Sequence, residues 1–340
     1  MAISNTFDPN APQAVTGTGS AISNREDLLD VLTILAPEET PVLSSLNKQG
    51  ASSTFVEWTV DSLSDPSSDG ISEGADVTAF DDKFAGRARL GNYVQKFRRS
   101  YLVSDLQEAV DSVGPAKVAQ AEAKAIRELK RDIEKTICSE NDRQAETGAV
   151  PYKMRGLGKW IESSGDKGGA GASSDIPNDF KTPSDSIVDT AVFTETNLNA
   201  IITSIFKQTG TTDGLTLVAD TALRVDVSDF ARVSTSSVND MRRVMMQSGE
   251  AEIKVTVDLY QSDHGIVSVV NANPDCMPES ATTGMSGYVL NPEYAGIHEL
   301  IPMGSTRLPN LGGGERGFVD CALTLGVYHP QAHGKITDVS

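Results

Sequence analysis

Cysteine is scarce in this sequence: Cys138, Cys276 and Cys321 are odd in number, far apart and without a CxxC pair. That excludes a disulfide framework and offers no zinc-finger spacing, so the three read as reduced, mostly buried small hydrophobes. Aromatic residues are few, at 6%. Basic residues are outnumbered, 29 Lys and Arg against 47 Asp and Glu, which leaves a formal net charge of −18. Wholesale binding to nucleic acid or to an anionic membrane is disfavoured unless the cations segregate locally. No stretch approaches the ~18 apolar residues of a membrane-spanning helix, and no signal peptide opens the chain. The expectation is a soluble protein, intracellular when made.

Catalytic signatures are missing as well. There is no GxSxG, no HExxH and no Cys–His arrangement that would present a nucleophile with its base. Of the four histidines, His264, His298, His329 and His333, the last two are four apart, but Pro330 and Gly334 oppose a helix there. No third or fourth ligand stands at a telling distance, so no metal site is assigned. The Gly/Ser-rich run 163–175 lacks both the GxxxxGK[ST] pattern and a strand-to-helix GxGxxG setting, and reads as a flexible surface loop. Phe84, Tyr93 and Phe97 interleave with cations between 83 and 99, a pattern that can stack single-stranded bases, but the acidic segment beside it argues against that use. No catalytic residue and no cofactor is assigned.

What is present begins with the stretch 115–138. At 100° per residue Val118, Ala121, Ala125, Ile126, Leu129, Ile133, Thr136 and Ile137 share one apolar arc, with Glu134 and eight other charged residues outside it. Val118, Ala125, Leu129, Ile133 and Ile137 are the expected packing residues. Gly114 and Pro115 suit a helix start, and a helix of this length reaches roughly 35 Å, enough to be a spine.

Around it the chain alternates arms and compact stretches. Residues 1–22 are polar and small; Ser23 and Glu26 form a capping-box pattern before Leu28, Leu29, Leu32 and Leu35, and Pro37 ends that helix. Strands are expected at 52–60 and 92–103, paired with each other, with a long loop between them. Its charge is polarised. From 49 to 82 stand Glu57, Asp61, Asp65, Asp69, Glu73, Asp76, Asp81 and Asp82 with no Lys or Arg; from 83 to 99 stand Lys83, Arg87, Arg89, Lys96, Arg98 and Arg99 with no acid. Two readings remain open: a solvated hairpin whose legs neutralise each other, or a loop that docks on a neighbouring copy by charge complementarity. A short helix capped by Ser104 precedes the spine. Beyond 190, Thr194 opens a helix carrying Leu198, Ile201, Ile202, Ile205 and Phe206, Leu215–Ala219 is a strand, and Asp220 or Thr221 caps a helix through Phe230. Ala251, Ile253, Val255, Val257 and Leu259 alternate into a hairpin with Ile266–Val270, Tyr288–Leu290 is a short strand, and Val319–Val327 alternates as a final strand expected to pack on the spine. The fold class is α+β.

The order of a two-legged charged loop, a long helix, a separate α/β unit and a return strand resembles the major capsid (head) proteins of tailed bacteriophages with the Hong Kong 97-type fold. Thr40–Leu46, Phe55–Trp58 with Asp61-Ser62-Leu63, Asn92, Val103-Ser104, Glu128–Glu134, Arg155-Gly156-Leu157 and His329–Ile336 carry the likeness, which runs from about 24 to 338. It implies an N-terminal arm at 1–46, an extended β-hairpin loop at 47–102, a peripheral domain at 103–162 and 291–340 containing the spine helix 115–138, a Gly/Ser-rich insertion loop at 163–190 and an axial domain at 191–290. It further implies a non-enzymatic subunit that self-assembles through hexamers and pentamers into an icosahedral shell around packaged double-stranded DNA, without sequence-specific binding and without a membrane. A scaffolding protein, a portal and a decoration protein are the implied partners, and the virion capsid the location, after synthesis in the host cytoplasm. Glu57, Asp61, Lys83, Arg87, Arg89, Lys96, Arg98 and Arg99 are the expected inter-subunit contacts. An encapsulin-like nanocompartment shell, a phage tail structural protein and an unrecognised hydrolase are the alternatives.

Overall fold

The computed structural model describes residues 39–78, 80–110, 117–163, 175–230, 257–277 and 285–338. The helix expected around Leu28–Leu35, the Gly/Ser run at 164–174, Gly114 and Pro115, and the strand residues Ala251, Ile253 and Val255 lie outside them.

The spine is helix α3, Lys117–Ile137, which follows the short helices α1, Pro41–Ser45, and α2, Asp105–Ala109. Its apolar stripe faces a four-stranded sheet made of β1, Asn47–Gly50, β4, Gln95–Val103, β10, Ala295–Leu308, and β11, Glu315–Val327, in the order β1-β10-β11-β4. Leu129, Ile133 and Ile137 are fully buried in one core with Phe97, Tyr101, Val319, Cys321, Leu323 and Leu325. At about 2 kcal/mol for each such side chain, this stripe is what ties helix to sheet. Val118 and Ala125 are buried on the same stripe. Glu134, expected outside the apolar arc, is a correction: it is 1% exposed, because α1 packs over that side of the helix. The carboxylate accepts the N–H groups of Val42 at 2.9 Å and Leu43 at 2.8 Å, serving two backbone donors that the start of α1 leaves open.

The pairing expected between 52–60 and 92–103 is also corrected. Strand β2, Phe55–Val60, pairs antiparallel with β3, Ala88–Tyr93, from Phe55 opposite Tyr93 to Val60 opposite Ala88. The chain then changes partner at Val94, and β4 joins β11 instead, with Gln95 opposite Leu323 and Val103 opposite Glu315. One apolar-alternating run thus serves two sheets, which period-2 patterning cannot distinguish from one long strand. Strand β10 escaped sequence reading because Pro302 and Gly304 interrupt its pattern. Register shifts between Glu299 and Ile301, and between Ile301 and Gly304, accommodate them as bulges.

A second sheet has the order β5-β12-β9-β6-β8-β7, formed by β5, Ile187–Asp189, β6, Leu215–Ala219, β7, Leu259–Ser262, β8, Gly265–Asn271, β9, Met285–Leu290, and β12, Gly334–Thr337. Helices α5, Glu195–Thr209, and α6, Thr221–Asp229, cover it, burying Leu198, Ile201, Ile202, Ile205, Leu223 and Val227. Phe206, expected on that buried face, is instead 39% exposed and stacks on His264. Asp220 caps α6 by accepting the N–H of Leu223 at 2.9 Å, whereas the Thr194 side chain makes no such bond at α5. Gly210 ends α5 in the left-handed conformation, φ 73°, its N–H bonded to Phe206 O. Through β5 and β12 this sheet draws strands from either side of 191–290.

Candidate inter-subunit surface

The β2–β3 ribbon is anchored at its root and open at its far end. Asn92, fully buried, uses its whole amide: Nδ2 donates to Leu325 O at 2.8 Å and Arg155 O at 3.2 Å, while Oδ1 accepts from the N–H groups of Arg155 at 2.8 Å and Tyr93 at 3.0 Å. Arg143 donates to Gly91 O at 2.6 Å and stands over the Phe55 ring. Trp58 packs against Trp160 of α4, Leu157–Trp160, and against Tyr328. Arg155 is 0% exposed and its guanidinium contacts Asp142 and Asp175 while stacking on Trp160. Beyond this root every described residue from 61 to 87 is exposed, including Leu63 at 98%, Ile71 at 88% and Phe80 at 88%.

The predicted contact residues fall into three sets. On the ribbon the legs neutralise each other: Arg87 Nε bonds Asp61 at 2.7 Å, Arg89 lies 3.7 Å from Glu57, and Lys83 lies 3.3 Å from Asp81. The bond from Arg87 holds the Asp61 carboxyl below its usual range. On the inner face of β4, Arg99 grips Asp132 of the spine through two bonds of 2.6 and 2.7 Å. On its outer face Lys96 and Arg98 share one carboxylate, Asp320, at 3.1 and 3.2 Å, and Arg98 stacks on Phe318. All six basic residues therefore find an acid within the chain. Left over are Asp65, Asp69, Glu73, Asp76 and Asp82, which no cation of the described residues approaches within ion-pair distance. Sequence reading weighed the two legs as wholes; which acids stay unpaired depends on the turn geometry, and no local pattern carries it.

Two cavities stand apart from the ribbon. One of about 610 Å³ lies between β5 and α5, lined by small polar residues with Asp185, Asp189 and Lys207. The other, about 480 Å³, is bounded by Arg99, Glu128, Arg131, Asp132, Lys135, Asp275 and Cys276, with Arg131 and Asp275 ion-paired. Among the described residues no cluster of three His, Cys, Asp or Glu side chains is arranged to hold a metal, and no helix is long and apolar enough to cross a membrane. Cys138, Cys276 and Cys321 are free and buried, and burial raises all three thiols.

A spine helix on one face of a sheet, a second sheet with its own core, and a ribbon ending in an exposed charged loop define the capsid class of fold. The capsid of Cyanophage P-SCSP1u shares it over 97% of this chain and 98% of its own, with a TM-score of 0.60 at 15% identity. The capsid of an empty GTA particle matches over 94% and 96%, at a TM-score of 0.61 and 12% identity. The encapsulin in the holo-SrpI complex from Synechococcus elongatus PCC 7942 matches over 94% and 93%, at 0.53 and 11%. A comparison with curated proteins finds no match. The sequence matches the SU10 major capsid protein family over residues 14–340, and the chain belongs to that family. It is accordingly a structural protein, a major capsid protein that assembles into the shell of a phage virion.

Proposed function

We propose that this subunit builds the icosahedral, Hong Kong 97-type shell of a tailed phage around packaged double-stranded DNA. In this reading 1–46 is the N-terminal arm, 47–102 the extended loop, 103–162 with 291–340 the peripheral domain, 163–190 a surface insertion and 191–290 the axial domain. Hexamers and pentamers form in the host cytoplasm with a separate scaffolding protein, around a portal, and with a decoration protein where one is encoded; the subunit catalyses no reaction. The observation that carries this is the loop 61–87, which leaves apolar side chains and carboxylates exposed in a family whose members are capsid proteins. A subunit so shaped buries its remaining surface in heterologous contacts that close into a shell. The acidic excess suits a container, since a negative wall limits adhesion to phosphate.

The test is negative-stain microscopy of the chain expressed alone and with its neighbouring genes. Closed shells with fivefold vertices support the reading, whereas tubes, fibres or persistent monomers in both samples overturn it. The encapsulin likeness favours one other reading, a nanocompartment. Capture of a host enzyme through a terminal peptide, with shells free of DNA, would decide for that instead.

A further inference from the structure

The aspartates of the exposed loop differ in what the main chain beside them can do. Joining an aspartate carboxyl to the amide nitrogen of the next residue closes a five-membered imide ring. Closure needs a carboxyl that no partner holds, an N–H that no acceptor holds, and a following residue of little bulk, free to rotate. Asp61 fails on the first two counts. Its carboxylate accepts from Arg87 at 2.7 Å and from the N–H of Ser62, the nucleophile that closure would need, at 3.0 Å. Asp65 precedes Pro66, which has no N–H. Asp76 precedes the β-branched Val77, Asp81 is paired with Lys83, and Asp82 accepts the N–H of Phe84.

Asp69 meets every condition. It precedes Gly70, both residues are exposed, and among the described residues no cation holds its carboxylate and no acceptor takes the Gly70 N–H. Ser67 Oγ holds only the N–H of Asp69 itself, at 3.1 Å, on the far side of the Cα–C bond that must turn. A Cβ built on Gly70 meets nothing within 4 Å, so no neighbour blocks that turn.

The chain has one other Asp-Gly pair, Asp213-Gly214, and it is clamped. Thr212 before it is buried with its hydroxyl on His264 O, and Gly214 sits in a turn at φ 75°. Leu215 after it is buried as the first residue of β6, opposite Val267. The same dipeptide is thus presented once free and once between two fixed neighbours.

We propose that Asp69 is a site of spontaneous isoaspartate formation. The Gly70 nitrogen attacks Asp69 Cγ; the carboxyl, protonated from solvent, loses its OH and the amide its H as one water, and the imide closes. Water then opens the ring. Addition at Cγ restores aspartate, whereas addition at the main-chain carbonyl frees that carbonyl as a carboxylate and leaves the chain running through Cγ. The proton taken up at closure is released, water is the co-reactant, and nothing is oxidised or reduced. Mass and charge are unchanged, but the main chain becomes one methylene longer at 69 and carries a carboxylate directly on Cα. A carboxyl methyltransferase specific for isoaspartate is the class of enzyme such a product suits. The assignment concerns the subunit itself and stands apart from the shell reading.

Incubating the full-length chain at neutral pH in water enriched in heavy oxygen tests it. Digestion in ordinary water and electron-transfer mass spectrometry then separate isoaspartate from aspartate at each position. Synthetic peptides spanning 65–73 and 210–217 give the rate of each Asp-Gly pair in an unfolded chain. The expected result is a rate at 69 within about threefold of its peptide and a rate at 213 at least tenfold below its own, because local structure must open there first. Each isoaspartate at 69 should carry one heavy oxygen. Gly70→Ala, which the open space at that position admits, should slow conversion at 69 at least tenfold and leave the melting temperature where it was. Intact aspartate at 69 while the peptide converts, equal rates at 69 and 213, isoaspartate without heavy oxygen, or an undiminished rate in Gly70→Ala overturns the assignment.

Discussion

His333 shows how a single side chain couples the fold to pH. It is 0% exposed, its Nδ1 accepts the N–H of Asn291 at 3.2 Å, and burial pushes its pKa down from 6.5 to about 4. His329 and the backbone of Tyr294 are the groups that face it, and His329 is itself held low by burial. The imidazole is neutral in the folded state, so its contribution is fully present above the unfolded pKa and is lost as pH falls toward 4. The full difference is on the order of 3 kcal/mol. Urea unfolding at pH 7.5 and 4.5 should therefore show a steeper acid loss in the wild type than in His333→Gln, whose amide oxygen can still accept from Asn291. Equal losses in the two proteins would mean that the ring already takes up a proton in the fold. Glu134 acts in the opposite sense: desolvation raises its carboxyl pKa against the pull of the Val42 and Leu43 N–H groups, so its contribution is greatest in acid and fades as pH rises through the raised value.

At the scale of elements, the ribbon root is the part most sensitive to small changes. A Cβ on Gly91 would stand 2.9 Å from Val56 O and 2.8 Å from Phe55 Cζ, so the two strands meet only because position 91 has no side chain. The backbone oxygen cannot move aside without parting β2 from β3. Gly91→Ala should cost about 1–3 kcal/mol, the usual range for overpacking. Hydrogen exchange should place the loss locally, with faster exchange in 55–60 and 88–93 and none of it in α5 or β6. Uniform acceleration across the chain would instead assign Gly91 to the global core. Much of this element was legible beforehand, since Phe55–Trp58 and Asn92 stood out in the sequence. The change of partner at Val94 was not, because a strand's pattern records which face is buried and never which neighbour it pairs with.

For the whole molecule, the loop governs size in solution. A compact chain of this length has a radius of gyration near ~20 Å. An excursion of 61–87 whose described residues are all exposed, added to two bodies with separate cores, should raise the value clearly above that. Small-angle scattering of the dissociated subunit at low concentration measures it directly. A value at or below ~20 Å would mean that the loop folds back on its own subunit in solution.

Sequence alone determined what depends on neighbours close in the chain. The amphipathic period of the spine, the caps at Ser104 and Asp220, the strand Leu215–Ala219 and the polarised charge of the loop are local, and each is readable from spacing and side-chain chemistry. Tertiary structure decided what depends on distant segments meeting. Glu134 is buried because α1 happens to cross the spine there, and Asp320 holds Lys96 and Arg98 because β11 lies beside β4. Among the described residues Asp65, Asp69, Glu73, Asp76 and Asp82 are left without cations because Arg87 and Arg89 face Asp61 and Glu57 across the ribbon and Lys83 faces Asp81. Ion pairing and burial are pairwise quantities, and a linear pattern holds only one member of each pair at a time.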